Sequence, residues 1–279
     1  MTVFVLELTA MVTMLLDHIQ VVFSIDPFLR CIGRIAFPLY AFLIVNGYYH
    51  VRKKEGGLRR YLLRLLLLAV VSEFTYDLMS EGVPVDWDAQ NQVLQFFIAM
   101  AALTVTGWLR DHTPKDGRNS PDGNALSGRS IDSFIIPSCL SVALRAVVWA
   151  AAIAVCHRFH IGYSGSGILL IMIYKLYFDK IYDKDYPTRL AYLVIMTLVF
   201  VAVEWVEVHH RAGISMQSFI DNIDWYFRWY KRNTWASFGM PLAAAYQGER
   251  GYNGKDFRIF YRIFYPAHQF ILWTLKLIL

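Results

Sequence analysis

The feature that most constrains this chain is a series of long apolar stretches separated by polar or charged segments. A helix needs about 20 predominantly apolar residues to cross a bilayer. Nine stretches of full or shorter length can be delimited, at residues 3–25, 28–49, 61–79, 92–109, 133–156, 168–178, 190–208, 236–246 and 257–279. Composition agrees, because only 18% of the residues are charged, against about 25% in soluble domains. We therefore predict an all-α fold, a polytopic transmembrane helical bundle of about nine spans forming one integral-membrane domain over residues 1–279.

The distribution of Lys and Arg predicts the orientation of the bundle. Residues 50–60, 110–132, 179–189 and 248–258 contain many Lys and Arg, whereas residues 80–91 contain neither. Cytoplasmic loops of membrane proteins carry an excess of basic residues. We therefore expect these four basic segments and the N-terminus to be cytoplasmic. The formal net charge of +5 then reflects these loops, and no nucleic-acid partner is expected.

Two polar segments and three cysteines complete the pattern. Residues 111–132 are rich in Pro, Gly, Ser and Asn, which predicts a flexible cytoplasmic loop. Residues 219–235 are rich in Trp and Tyr and include basic side chains, which predicts an amphipathic segment at the membrane interface. Cys31, Cys139 and Cys156 lie in apolar surroundings without metal-ligand spacing, so no metal site is expected.

Asp17 and His18 lie in the middle of the first apolar stretch. A charged side chain at the centre of a bilayer costs at least ~2.5 kcal/mol and marks a functional site by default. Because a neutral imidazole suits general-base catalysis of acyl transfer, we interpret His18 as a catalytic candidate. The alternative is a histidine that only bonds a neighbouring backbone or carboxylate group. We expect Asp17 to pair with Arg34 across an antiparallel hairpin, in catalysis or as a purely structural ion pair.

The third stretch carries charged residues at both ends. Glu73 and Asp77 are four residues apart and share one face of a helix, where they are placed to receive an acceptor's ammonium or hydroxyl groups or to pair with Arg34. The alternative is a solvated helix end. Arg60 and Arg64 share a face at the cytoplasmic end, beside Arg59, and guanidinium groups suit phosphate oxygens. The alternative there is an ordinary basic cytoplasmic loop.

Several motifs match a known family in their order along the chain. They are Asp-His-Ile at 17–19, Ile-Gly-Arg-Ile-Ala-Phe-Pro-Leu-Tyr-Ala-Phe-Leu-Ile-Val-Asn-Gly at 32–47, Tyr-Leu-Leu-Arg-Leu at 61–65, Ser-Glu-Phe-Thr-Tyr-Asp-Leu at 72–78, Tyr-Asn-Gly-Lys at 252–255 and Phe-Tyr-Pro-Ala-His at 264–268. Together they resemble the TraX family over most of the chain. Two departures stand out: Asn46 occupies a position where the family usually has an acidic residue, and residues 90–97 follow the family's Gln-Asn-Val-x-Phe-Thr segment only loosely.

The resemblance implies a function. The TraX family includes the F-pilin acetylase, which acetylates the N-terminus of a pilin subunit. The family also looks related to the wider transmembrane acyltransferase superfamily, with the acyltransferase-3 enzymes and heparan glucosaminide acetyltransferase. By resemblance we expect an acetyltransferase of the bacterial cytoplasmic membrane, with cytosolic acetyl-CoA as donor and no metal. The departures leave the acceptor open, as an amine or hydroxyl of a small molecule, a glycan or a peptide N-terminus.

The resemblance also supports roles for individual residues. We expect His18, Asp17, Arg34 and Glu73 to act in catalysis, and Asp77 to bind the acceptor. The residues expected to contact acetyl-CoA are Arg59, Arg60, Arg64, Asn46, Tyr252, Asn253 and His268.

Alternatives to these roles remain. His268 can instead bond the backbone that Pro266 frees within the last stretch. The rival function is a secondary transporter with an intramembrane proton relay, although the sequence has no evident internal repeat or matched pair of broken helices. A third alternative is a non-catalytic membrane scaffold. The expected partners are acetyl-CoA, an unknown acceptor and the lipid bilayer, and the sequence leaves open whether the chain forms a homo-oligomer.

Overall fold

The computed structural model describes residues 1–114, 136–211, 216–221 and 234–279. Within these ranges the chain is helical, and the only strand-like contact is an isolated bridge between Gln90 and Ile161. The helices are α1 (Val3–Phe23), α2 (Pro27–Gly33), α3 (Ala36–Val51), α4 (Gly57–Ser80), α5 (Gln92–Asp111), α6 (Ser138–Arg158), α7 (Ser164–Leu176), α8 (Tyr186–Arg211), α9 (Met216–Asp221), α10 (Gly239–Ala244) and α11 (Lys255–Ile278).

Shorter helical turns flank two of these helices. A π-helical turn, Tyr177–Ile181, follows α7, and a 3₁₀ turn, Trp235–Phe238, precedes α10. Most of the predicted flexible loop at 111–132 lies outside the described residues, as does most of the predicted interfacial segment at 219–235.

Five segments of the described chain are long and apolar enough to cross a membrane. They are Val3–Phe23, Pro27–Val51, Gln92–Asp111, Ser138–Arg158 and Tyr186–Glu207. This finding supports the predicted polytopic membrane protein.

The number of spans and the cytoplasmic N-terminus remain predictions. Helices α4 and α11 each have 24 residues, which is long enough to cross, but both carry several charged residues. Helix α7 has 13 residues and α10 has six. At 1.5 Å per residue, both are shorter than the ~30 Å hydrocarbon core.

Local sequence signals explain where the helices begin. The Thr2 hydroxyl accepts a hydrogen bond from the Val5 N–H at the start of α1, and the Asn91 side chain accepts from the Val93 and Leu94 N–H groups at the start of α5. Such caps satisfy backbone donors that lack partners within the helix. The predicted starts at residues 3 and 92 are therefore confirmed.

The second apolar stretch is broken in the middle. Helix α2 ends at Gly33 and α3 begins at Ala36, and across the break the N–H groups of Arg34 and Ile35 donate to carbonyls three residues earlier. Pro38, in the first turn of α3, has no N–H to donate to the Arg34 carbonyl. The break therefore places Arg34 at a helix end inside the bundle.

Helix α3 forms the centre of the packed bundle. Leu39, Ala41, Phe42 and Val45 are completely buried, and α3 contacts α1, α5, α7 and α10. Large apolar side chains on the outer faces of α4, α6 and α8 are exposed instead. This arrangement is typical of a bundle whose outer surface faces lipid.

Two polar clusters tie α7 to its neighbours. The Glu207 carboxylate of α8 accepts hydrogen bonds from the N–H groups of Gly165 and Ser166, at 2.8 Å each, so a negative charge caps the N-terminus of α7. In the π-helical turn, Asp179 accepts hydrogen bonds from Tyr49 and, at 2.5 Å, from Lys175. Arg110 also lies 3.2 Å from Asp179.

Candidate active site

A cavity of about 1930 Å³ lies among the helices of the bundle. Arg64 near the start of α4 and Glu81 just beyond its end both line the cavity. Their separation along the helix corresponds to about 25 Å at 1.5 Å per residue. The cavity therefore extends along most of α4 and is large enough for an extended substrate.

One end of the cavity is basic. Its cationic and imidazole side chains are His50, Lys54, Arg64, Arg250, Arg258 and Arg262. They come from the end of α3, the turn before α4, the start of α4, and the start of α11 with the segment before it. This basic end is the natural place for an anionic group such as a phosphate.

The basic end differs from the predicted phosphate site at 59–64. Arg64 lines the cavity, but Arg59 and Arg60 are exposed outside it, and Arg60 donates to the Glu55 carbonyl at 2.8 Å. Arg258 and Arg262 of α11 line the cavity instead. Sequence reasoning missed this pair, although its four-residue spacing directly after the Tyr-Asn-Gly-Lys motif was an available signal.

His18 lines the cavity and contacts His268. The His18 Nδ1 and His268 Nε2 atoms are 2.6 Å apart. His268 Nδ1 lies 2.7 Å from the Phe264 carbonyl. His268 itself is 5% exposed and does not line the cavity. His268 therefore lies on the side of His18 that faces away from the cavity, and not along a path for acetyl-CoA. Its Nδ1 atom bonds the Phe264 carbonyl, whereas the alternative prediction was a bond to the Arg262 carbonyl, which Pro266 leaves free.

Asp17 does not form the predicted ion pair with Arg34. Its carboxylate lies 4.0 Å from Arg30, and Arg34 instead donates to the Tyr163 hydroxyl at 3.1 Å. The hydrogen bond to Tyr163, in the turn before α7, holds Arg34, while Arg30 is the arginine nearest the Asp17 carboxylate. All four side chains nevertheless line the cavity. Sequence reasoning missed Arg30 and Tyr163, and only the four-residue spacing of the two arginines pointed to Arg30.

Glu73 and Asp77 do not line the cavity. Glu73 accepts hydrogen bonds from the Asn91 side chain and, at 3.1 Å, from the Asn91 N–H. Asp77 accepts from the Asp86 N–H at 2.8 Å. These carboxylates hold the segment between α4 and α5, so the structure does not bring them to the site where a role in catalysis and acceptor binding was predicted. The carboxylates that do line the cavity are Glu7, Asp17, Glu81, Asp88 and Glu204. Glu7 lies 2.7 Å from Arg250 and pairs with it at the basic end.

Of the remaining residues predicted to contact acetyl-CoA, two line the cavity and one does not. Asn46 and Asn253 line the cavity. Tyr252 does not; it is 60% exposed, and its ring packs against Phe4 with centroids 5.5 Å apart. Within the described residues no group of three or more His, Cys, Asp or Glu side chains could hold a metal ion.

Comparisons with known proteins complete the description. A sequence profile described as TraX protein matches residues 4–276. The chain is also similar to the probable fimbrial assembly protein FimC, serogroup H1, of Dichelobacter nodosus, with 31% identity over 108 residues. That similarity covers 37% of this chain and 41% of the length of the relative. No solved structure matches the chain.

Proposed function

This chain belongs to the TraX family, and we propose that it is a transmembrane acetyltransferase that transfers an acetyl group from acetyl-CoA to an amine or hydroxyl acceptor. The observation that carries the proposal is the cavity, because one continuous space is lined both by the basic end and by His18. The cavity would thus connect a binding site for the phosphate-bearing acetyl donor with the general base.

The donor is proposed to bind with its phosphates at the basic end. Arg64, Arg258 and Arg262 present guanidinium groups there, and such groups form bidentate hydrogen bonds with phosphate oxygens. The pantetheine arm would then extend past Asn46, which is 6% exposed and lines the cavity. This pose directs the thioester toward His18.

The chemistry requires one base and one group that stabilises negative charge. The acceptor's lone pair attacks the thioester carbonyl carbon, the C–S bond breaks, and an amide or ester forms. His18 takes the acceptor's proton and passes it to the departing thiolate, so the products are the acetylated acceptor and CoA with a free thiol. Arg34 and Tyr163, which line the same cavity, would donate hydrogen bonds to the carbonyl oxygen as negative charge develops.

Two polar atoms without hydrogen-bond partners support a ligand site in the part of the cavity near His18. Asp17 Oδ1 and Arg34 Nε are buried and have no hydrogen-bond partner among the described residues. Leaving a buried polar atom without a partner costs about 1–3 kcal/mol. A bound substrate or ordered water that bonds these atoms would recover this free energy.

We further propose that the reaction serves fimbrial or pilus assembly at the bacterial cytoplasmic membrane. The support is the TraX family itself and the name of the fimbrial assembly relative. The acceptor is proposed to be a component of that assembly, and mass spectrometry of surface proteins from cells with and without the gene would identify it by a mass difference of one acetyl group.

The test uses the full-length protein purified in detergent. Isotope-labelled acetyl-CoA should bind, and His18→Ala should abolish acetyl transfer while CoA binding is retained. Normal transfer by His18→Ala would remove the role given to His18. Proton-driven uptake of a solute without CoA binding would instead favour a secondary transporter.

A matched pair of variants tests the donor site. Removing both Arg258 and Arg262 by substitution with glutamine should raise KM for acetyl-CoA roughly tenfold, because two guanidinium–phosphate contacts are lost. The same double substitution at Arg59 and Arg60 removes equal charge outside the cavity and should leave KM near its original value. An equal rise in both variants would show that general surface charge, not the cavity, governs donor binding.

A further inference from the structure

The two histidines at the cavity are joined by a linear hydrogen bond. Their ring planes differ by 5°, and their centroids are 4.9 Å apart. With 2.6 Å between His18 Nδ1 and His268 Nε2, this centroid distance is accounted for only when the two nitrogens lie on the line between the ring centres. The rings are therefore edge to edge in nearly one plane and not stacked face to face.

The hydrogen-bond pattern sets the positions of the ring protons. The Phe264 carbonyl, 2.7 Å from His268 Nδ1, can only accept a hydrogen bond. His268 Nδ1 therefore carries a proton, and in neutral His268 the Nε2 atom carries a lone pair. That lone pair accepts from His18 Nδ1, which must then carry its own proton. The remaining ring nitrogen, His18 Nε2, is left with a lone pair.

We propose that His268 is a positioning residue that holds His18 in the tautomer with a free lone pair on Nε2, the atom that takes the acceptor's proton. This inference rests on the proposed acetyltransferase function and adds a role to a residue outside the cavity. In many enzymes a third group, often a carboxylate, orients the catalytic base; here the imidazole of His268 would orient His18. With His268 neutral, the imidazolium formed on His18 during the reaction donates its Nδ1–H to the Nε2 lone pair of His268 and is stabilised.

The surroundings of His268 fix the ring in this orientation. The Phe264 ring lies against it with centroids 4.7 Å apart and planes 15° apart. The Tyr265 ring packs nearly perpendicular to both imidazoles. The next residue, Gln269, accepts a hydrogen bond from Thr75 of α4 at 2.8 Å. Helix α11 is thus anchored at the point where His268 meets His18.

The kinetic test compares two substitutions. In His268→Leu the acceptor for the His18 Nδ1–H is lost, and kcat should fall roughly 10- to 100-fold, by analogy with loss of the groups that orient metal-ligating imidazoles. KM for acetyl-CoA and CoA binding should not change. In His268→Gln the amide oxygen can still accept that hydrogen bond, so most of kcat should return. Equal loss in both variants, or a rise in KM instead of a fall in kcat, would overturn the proposal.

A spectroscopic test separates this inference from the proposed function. In protein labelled with ¹⁵N-histidine and reconstituted in bilayers, ring-nitrogen shifts distinguish protonated nitrogens from lone-pair nitrogens, and His18→Ala identifies the His18 signals among the eight histidines. We expect His18 with Nδ1 protonated and Nε2 unprotonated. The opposite tautomer overturns the inference whether or not the protein transfers acetyl groups. The wild-type measurement also decides the question if His268→Leu fails to fold.

Discussion

Substituting Gly33 with alanine should force α1 and α2 apart. A Cβ atom at position 33 would lie 2.2 Å from the Asp17 Cβ and 2.8 Å from the Asp17 Cα. Ordinary carbon–carbon contacts are ~3.5–4.0 Å, so the helices would have to separate by about 1.5 Å, and the backbone atom cannot move aside as a flexible side chain can. Overpacking of this kind costs about 1–3 kcal/mol. The separation would also shift Asp17 and the adjacent His18 within the cavity.

Thermal unfolding of the purified variant and its acetyl-transfer rate measure both effects. The matched control is Gly47→Ala, whose added Cβ would meet the terminal hydroxyl of Tyr61 at 3.0 Å, a contact that a small rotation of the tyrosine can relieve. We expect Gly33→Ala to lower the melting temperature and kcat more than Gly47→Ala does. Equal melting temperatures for the two variants would refute the close approach of α1 and α2 at Asp17.

Two further predictions concern the polar clusters around α7. Glu207→Gln removes the carboxylate charge that accepts hydrogen bonds from the Gly165 and Ser166 N–H groups. The free energy of unfolding, measured by denaturant titration, should fall by about 1–2 kcal/mol. An unchanged unfolding midpoint would contradict the capping role. Burial opposes ionisation of Asp179, but Lys175 and its other partners hold the pKa of that carboxyl below its ordinary value. The stabilisation is fully present above the unfolded pKa of about 3.9 and is lost as pH falls through the lower folded pKa. The difference in melting temperature between wild type and Asp179→Asn should therefore be constant near neutral pH and shrink in acid, and a difference that grows in acid would contradict this.

Much of the helical framework could be predicted from hydrophobicity alone. The observed α1 and α5 begin where the apolar stretches begin, at residues 3 and 92, because capping residues stand directly before them. The break between α2 and α3 was missed, since the apolar pattern continues across it and only Pro38 marks the lost backbone hydrogen bond. Hydrophobicity locates a membrane segment but not an interruption that neighbouring helices satisfy.

The candidate site could be predicted only in part. His18 is recognisable because an ionisable residue in an apolar stretch is costly. Its contact with His268, 250 positions later in the chain, depends on how α11 packs against α1, which a single sequence does not specify. The Asp17 partner was wrong for a related reason: Arg34 donates to Tyr163, 129 positions later in the chain, and Arg30 lies nearest the Asp17 carboxylate. Arg258 was counted only as part of a basic cytoplasmic segment, and Arg262 was overlooked because its stretch reads as a membrane span.

A cryo-electron microscopy structure of the protein bound to a non-transferable acetyl-CoA analogue would show directly whether the cavity holds the donor as proposed. We expect phosphate density at Arg64, Arg258 and Arg262 and the pantetheine arm in the cavity between them and His18. The acyl carbonyl should lie within hydrogen-bonding reach of Arg34 and Tyr163, beside His18. Analogue bound outside this cavity, or bound with its acyl group away from His18, would contradict the proposal.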